Sequence, residues 1–207
     1  MRVRTRTTGQ RRRRTGAWLL GIALLASCSA PGKDGGDDLS GKTGPSASLS
    51  SSGAQDSYPG DDKGARALVR KLGEDGGGTA LVRSLRPTSD DYGALFQPDF
   101  AGRAETFYEG TLWGASPQPA RPWAKRGETE VRMAKATTDD IRAWTPTARS
   151  NFPGGYEKVK DRFKAGLTVY VWDYTKPGAE RGLAYNGLVY VNGHWAFFPK
   201  PWYALGK

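Results

Sequence analysis

The sequence predicts an α+β domain in which helices come first and an antiparallel sheet comes last. Apolar residues recur at helical spacing between residues 65 and 112. Residues 167–198 instead hold three short runs rich in β-branched and aromatic residues. Asn192-Gly193 separates the last two runs and is a strong signal for a two-residue hairpin turn. We therefore expect N-terminal helices packed on a curved antiparallel sheet that ends in a three-strand meander.

The first half of the domain is predicted to be helical. Residues 65–72 carry apolar side chains on one helical face, and the glycines at 76–78 are predicted to form a linker. A second helix begins near Thr88, because Asp91 follows three residues later in the manner of a capping box. A third helix begins at Asp99 and carries an aromatic stripe that is typical of a core face.

The middle of the domain alternates between the two kinds of structure. Residues 129–136 alternate apolar and polar side chains, which predicts a strand. Residues 137–144 have a capped start and predict a short helix. Residues 156–163 place apolar side chains three and four apart and predict another helix.

The predicted meander covers the last forty residues. Its strands are residues 167–174, 183–191 and 194–198. Asn186-Gly187 lies inside the second strand, where a glycine often marks a β-bulge. We therefore expect this strand to be bulged at that point.

The N-terminus has the layout of a secretory signal. Residues 1–14 are basic, and residues 17–26 form an apolar run of ten, half of the roughly 20 residues that a membrane-spanning helix needs. Small residues follow, so residues 1–27 are predicted to be a signal peptide. The arginine run also resembles a twin-arginine export signal, and the sequence leaves the export route open.

The cysteine that follows the apolar run is the only one in the chain. Leu25-Ala26-Ser27-Cys28 resembles the lipobox of bacterial lipoproteins. The resemblance implies cleavage between Ser27 and Cys28 and lipidation of the Cys28 thiol. The expected location is the extracytoplasmic face of the cell membrane, held by acyl chains. A plain cleavage site with a free cysteine is the alternative.

Residues 28–62 are rich in Gly, Ser and Asp and hold almost no large aliphatic residues. Such a segment buries too little apolar surface to offset the entropy of ordering it, so we expect a disordered tether. Its root-mean-square reach is roughly 30 Å. Residues 63–207 are then the single domain, with a core at about residues 86–203.

Composition argues against several classes of partner and site. Seven arginines of the +10 chain lie in residues 1–27, and residues 63–207 mix 22 bases with 15 acids, so no nucleic-acid partner is expected. One cysteine excludes a disulfide within the chain. With one histidine besides, no metal site is expected, and no cofactor motif or catalytic signature is present.

The order of elements and the hairpin Asn192-Gly193-His194-Trp195 resemble the cystatin-like and nuclear-transport-factor-like α+β groups. The resemblance covers roughly residues 86–203 and implies a sheet curled around a helix, often with a pocket. Members with acid–base chemistry place an Asp–His or Tyr–Asp pair there. Asp173 and His194 are the residues that would form such a pair here.

The sequence is compatible with two functions. The favoured one is a non-enzymatic lipoprotein whose domain binds a small ligand, a wall polymer or a protein partner. The alternative is a small-pocket enzyme that uses Asp173 and His194. The candidate ligand-binding residues are Asp173, Tyr185, Tyr190, His194 and Trp195. Aromatic residues 195–203 are predicted to cover the core rather than to form an exposed binding surface.

Overall fold

The computed structural model describes residues 57–74, 78–114 and 122–206. The helices are α1 (Asp62–Gly73), α2 (Thr79–Ser84), α3 (Ser89–Leu95), α4 (Pro98–Tyr108), α5 (Thr138–Ala143), α6 (Pro146–Asn151) and α7 (Gly155–Val159). The strands are β1 (Glu130–Thr137), β2 (Thr168–Thr175), β3 (Leu183–Val191) and β4 (His194–Phe197). A π-helical segment, Glu109–Trp113, continues α4, and 3-10 turns occupy Lys160–Arg162 and Pro201–Leu205. The predicted α+β class is confirmed.

The four strands form one sheet in the order β1-β2-β3-β4, with each strand antiparallel to the next. The predicted three-strand meander is present, and β1 extends it at the β2 edge. The predicted hairpin turn is confirmed, with φ of 49° at Asn192 and 84° at Gly193. The predicted bulge is confirmed as well, because Tyr170 pairs with Leu188 while Val171 pairs with Asn186, which leaves Gly187 as the extra residue.

One face of the sheet is covered by α1. The Tyr174 hydroxyl donates to the Val69 carbonyl at 2.5 Å, and the Tyr170 hydroxyl donates to Asp62 Oδ1 at 2.8 Å. The apolar stripe of α1, which includes Leu68 and Leu72, is fully buried against this layer. Each such side chain contributes about 1.5–3 kcal/mol by leaving water.

The opposite face carries an aromatic core under α3, α4 and α7. Phe198 meets Tyr92, Phe96 and Tyr108 edge to face at ring-centre distances of 5.4, 5.8 and 6.1 Å. Tyr156 of α7 donates its hydroxyl to Asn186 at 3.3 Å. Edge-to-face pairs are favourable for aromatic rings, so this cluster holds the helical layer in one arrangement on the sheet.

Both predicted helix caps form, and each is a capping box. Asp91 accepts hydrogen bonds from the backbone nitrogen and the hydroxyl of Thr88 at the start of α3. Asp140 does the same with Thr137 at the start of α5. In each case the acidic side chain satisfies a donor that the helix end would leave unpaired.

Several boundaries differ from the prediction. Helices α2 and α6 are only six residues long, too short to show a clear apolar period. The helix predicted for residues 156–163 ends at Val159 and continues as a 3-10 turn. The core also extends well before residue 86, since α1, α2 and Leu85 contribute fully buried side chains. The packed domain already includes Tyr58, whose carbonyl accepts from Trp195 Nε1 at 2.9 Å, so the start predicted at residue 63 is too late.

Candidate functional site

An apolar cleft of about 350 Å³ lies between the end of α4, strand β3 and the chain that follows β4. Most of its wall is aromatic or aliphatic, and a few polar groups interrupt it. The lining residues are Phe107, Tyr108, Thr111, Leu112, Pro122, Leu183, Ala184, Tyr185, Asn186, Phe197, Pro199, Lys200 and Tyr203. We refer to this space as the apolar cleft.

The cleft exists because β3 is longer than its neighbour. Strand β4 pairs only with Leu188–Val191, so the first half of β3 has no strand beside it on that edge among the described residues. Phe198 makes a last contact, donating its backbone nitrogen to the Gly187 carbonyl at 2.7 Å. The chain then leaves the sheet through Pro199 and through Lys200, whose φ is 52°. This departure opens the gap beside β3.

Hydrogen bonds fix the walls of the gap. Asn186 Oδ1 accepts from the Lys200 backbone nitrogen at 2.9 Å, which fixes the departing chain to the bulge. The Tyr108 hydroxyl donates to the Pro199 carbonyl at 3.0 Å, which fixes α4 to the same segment. The cleft is therefore held open by bonds between elements rather than by one mobile loop.

Two large aromatic side chains are exposed near the cleft. Tyr203 is 57% exposed, and Trp123, which follows the lining residue Pro122, is 48% exposed. The Tyr185 hydroxyl accepts from the Trp123 backbone nitrogen at 3.1 Å and donates to its carbonyl at 3.0 Å. Exposed aromatic side chains beside an apolar opening are typical of a binding surface.

The chemistry of the lining is simple. Among the described residues that line the cleft there is no carboxylate, and Lys200 is the only cation. No nucleophile is paired with a base in this wall. Such a lining suits an apolar or aromatic group.

A second cleft of about 310 Å³ lies over β1, β2 and β3 and is lined partly by Arg132, Asp173 and the end of α6. It shares residues 184–186 with the apolar cleft, and we refer to it as the polar cleft. Burial raises the pKa of Asp173, and the positive charge of Arg132 partly opposes this. The predicted site residue Tyr185 thus lies in both clefts, and Asp173 lies in the second.

The structure does not bring Asp173 and His194 together. Asp173 pairs with Ala184, and His194 pairs with Val191, so six residues of β3 lie between the two pairs, a distance of about 20 Å along the strand. His194 Nε2 instead lies 2.9 Å from Asp91 Oδ2, and Asn192 donates to Asp91 Oδ1 at 2.8 Å. The acid–base pair on which the enzymatic alternative depends is therefore not formed.

In the cluster around Asp91, the carboxylate of Asp91 and the ring of His194 each stabilise the charged form of the other. Asp91 is 0% exposed and the His194 side chain is 27% exposed. Burial alone would raise the pKa of Asp91, but hydrogen bonds from His194, Thr88 and Asn192 hold it below its ordinary value. The same bond to Asp91 raises the pKa of His194 above its ordinary value. This cluster joins the start of α3 to the tip of the β3–β4 hairpin.

Tyr190 and Trp195 also have structural roles and lie in neither cleft. Trp195 is fully buried, and it meets Tyr190 at 5.2 Å and bonds to Tyr58. Gly60 lies so close to the Tyr190 ring that a Cβ there would come within 2.3 Å of it. These two side chains pack against the start of the domain, and their predicted contact with a ligand stays a prediction.

Residues 195–203 are mostly core, as predicted. Trp195, Phe197 and Phe198 are buried and Trp202 is half-buried, whereas Lys200 and Tyr203 are exposed. The prediction missed the part of α4 that lines the cleft. An aromatic stripe indicates which face of the helix is apolar, but it does not show whether other elements pack against the whole of that face. It also missed Asp91 as the partner of His194, although the capping-box signal identified Asp91 as a helix cap.

The predicted lipidation site lies outside the described residues, as do Ser27 and the rest of the signal segment. None of the helices in the described ranges between residues 57 and 206 combines the length and the hydropathy of a membrane span. The same ranges contain no group of three or more His, Cys, Asp or Glu side chains placed to hold a metal ion.

Comparison with known proteins assigns the chain to no family. No family model, curated protein or solved structure matches the chain, so the resemblance to the cystatin-like and nuclear-transport-factor-like groups stays a prediction and the clefts are interpreted from their own residues.

Proposed function

We propose that this protein is exported, is anchored to the outer face of the cell membrane by a lipid on Cys28, and uses its domain to bind a small ligand. The observation that carries the binding proposal is the apolar cleft, whose lining is aromatic and aliphatic and holds no carboxylate among the described residues. Its volume of about 350 Å³ suits a molecule with one aromatic ring or a short aliphatic chain.

Preorganisation supports binding at this place. The bonds from Tyr108 to Pro199 and from Asn186 to Lys200 set the walls before any ligand arrives. A rigid cleft loses little conformational freedom on binding, which favours affinity for small molecules. A small ligand is the occupant that this volume favours, whereas a wall polymer or protein partner would also need the exposed surface of Tyr203 and of Trp123, which follows the lining residue Pro122.

The anchor proposal is supported by the sequence at residues 25–28 and by the tether predicted after it. The predicted tether would have a root-mean-square reach of roughly 30 Å from the membrane surface. A ligand in the surrounding space would then reach the cleft without steric conflict with the membrane. Binding rather than catalysis is proposed because the Asp173–His194 pair is not assembled.

The first prediction concerns the cleft. In the full-length chain carrying Cys28→Ala, 4-phenylbutan-1-ol is expected to bind, and Thr111→Trp is expected to weaken that binding at least tenfold. Thr111 is exposed and lines the cleft, so an indole there fills the opening without disturbing the core. Chemical-shift titration measures the affinity.

Thr106→Trp is the matched control, since Thr106 is exposed on the same helix and does not line the cleft. This variant is expected to bind the alcohol like the parent chain. Equal weakening by both tryptophans, or no binding of the alcohol to the parent chain, contradicts the proposal that the apolar cleft is the binding site.

The second prediction concerns the anchor. Cys28→Ala removes the thiol that would carry the lipid, so we expect the protein either to remain unprocessed or to leave the membrane fraction. Ser29→Ala, one residue further on, should leave processing and membrane attachment unchanged. Cell fractionation with size analysis decides the matter. A Cys28→Ala protein that stays with membranes at its mature size rules the anchor out.

A further inference from the structure

The polar cleft adjoins the apolar cleft across β3. Ala184, Tyr185 and Asn186 belong to both linings. Ala184 is exposed and has the smallest side chain of the three, so it forms a low boundary between the two spaces. Asp173 pairs with Ala184 on the neighbouring strand. Two strand spacings, about 10 Å, therefore separate Asp173 from the space beyond the free edge of β3.

Asp173 is poorly satisfied for a half-buried carboxylate. It accepts no hydrogen bond from a described residue and forms no ion pair within the described ranges. Arg132 lies opposite it in the sheet register, yet Arg132 Nη1 donates to the Glu180 carbonyl at 3.1 Å. The carboxylate oxygens thus remain available as acceptors in a cleft, and burial raises the pKa of Asp173.

The polar cleft has a carboxylate in its lining and the apolar cleft has none among the described residues, which favours a ligand with a positive group at one end. Asp173 is the only carboxylate among the described residues that line either cleft. A protonated amine has three donors and no acceptor, and it would compensate the charge of Asp173. A ligand carboxylate in the same position would be repelled by Asp173, and the positive charge of the exposed Arg132, whose Nη1 donates to the Glu180 carbonyl, offsets this only in part.

We propose that the two clefts form one site for an amphipathic amine, with the ammonium group at Asp173 and an aromatic or aliphatic group in the apolar cleft. This inference rests on the proposed function, because it assumes that the apolar cleft binds the apolar part. It adds the polar group that the ligand carries and the residue that recognises it. A chain of three to five carbons between the amine and a ring spans the distance across β3.

The test compares 4-phenylbutylamine with 4-phenylbutan-1-ol on the full-length chain carrying Cys28→Ala at pH 7. The amine is expected to bind at least tenfold more tightly than the alcohol, and 4-phenylbutyrate more weakly than the alcohol. Asp173→Asn is expected to remove the advantage of the amine and to leave the affinity for the alcohol unchanged. Titration calorimetry and chemical-shift mapping measure both.

Two further variants control the experiment. Asp161→Asn removes the same charge from an exposed position outside both clefts and should preserve the advantage of the amine. Ala184→Phe should reduce amine binding more than alcohol binding, because a larger side chain separates the two spaces. Asp173→Asn is expected to fold with an unchanged or higher Tm, since it removes a carboxylate whose charge burial disfavours.

The outcomes separate this inference from the proposed function. Equal affinities for amine and alcohol overturn the amine site while the apolar cleft stands. Equal loss of amine binding in Asp161→Asn and Asp173→Asn also overturns it, because the preference would then reflect net charge. Failure of the alcohol itself to bind overturns both.

Discussion

Replacing Gly187 with alanine is expected to lower the free energy of unfolding by about 2–4 kcal/mol, which corresponds to a drop of roughly 5–15 °C in Tm. Two independent causes act at this position. Gly187 has a φ of 93°, which a residue with a Cβ adopts only under strain. An alanine Cβ would also lie 2.1 Å from the Phe198 carbonyl oxygen. This oxygen belongs to the backbone, so no change of side-chain rotamer can relieve the overlap.

Gly178→Ala provides the matched control. Gly178 has a φ of 73°, yet nothing lies within 4 Å of the place where its Cβ would be. Its substitution therefore carries only the conformational strain, about 1–2 kcal/mol. Thermal and urea unfolding of both variants separates the strain from the overlap. A Gly187→Ala protein no less stable than Gly178→Ala would show that β3 and Phe198 do not approach each other this closely.

The Gly187 variant also tests how the bulge serves the cleft. The bulge places Asn186 where its oxygen accepts from both Tyr156 and Lys200. Displacing Phe198 would move the chain at Lys200 and change the shape of the cleft. Gly187→Ala is therefore expected to weaken the binding of 4-phenylbutan-1-ol even at temperatures where the domain remains folded, whereas Gly178→Ala is expected to leave it unchanged.

Much of the fold could be predicted because its signals are local. Asn192-Gly193 is a turn between two strands within one short stretch, and Thr88 with Asp91 sets a helix start within four residues. The bulge was indicated by a glycine inside a strand pattern. Each of these features depends on a residue and its near neighbours, so a single sequence is enough to show it.

The candidate site is different because it depends on where elements end relative to one another. The apolar cleft results from β4 ending at Phe197 while β3 extends back to Leu183. Apolar spacing in α4 identifies one face of that helix, but it does not show that part of the face lacks a partner. Likewise His194 meets Asp91, 103 residues earlier in the chain, and no sequence spacing indicates that pair.

The second large effect is expected for Asp91→Ala, which should lower the free energy of unfolding by about 3–5 kcal/mol. Asp91 is fully buried and accepts from Thr88 N at 2.6 Å, Thr88 Oγ1 at 2.8 Å, Asn192 Nδ2 at 2.8 Å and His194 at 2.9 Å. Alanine leaves all of these groups without their shared partner. It also detaches the start of α3 from the β3–β4 hairpin.

Asp140→Ala is the matched control, because Asp140 occupies the same position in the capping box of α5 and also bonds to the threonine at the helix start. Asp140 lacks a histidine partner and the connection to a hairpin, so its loss is expected to be much smaller. Equal destabilisation by the two substitutions would show that the contacts from Asn192 and His194 contribute nothing beyond the cap.

The same cluster predicts a pH dependence that one residue controls. The hydrogen bond to Asp91 raises the pKa of His194 above 6.5. The contribution of protonated His194 to stability is therefore complete below about pH 6.5, and it is lost as the pH rises through the higher pKa that His194 has in the folded protein. Because the pKa of Asp91 is lowered, its own contribution is present above about pH 4 and is lost only in stronger acid. The pair is thus strongest between these limits.

His194 is the only histidine in the sequence, so urea unfolding of the chain carrying Cys28→Ala should show stability falling above pH 6.5. In Asp91→Ala this decline should disappear, and an unchanged decline would mean that the Asp91–His194 pair is not its source.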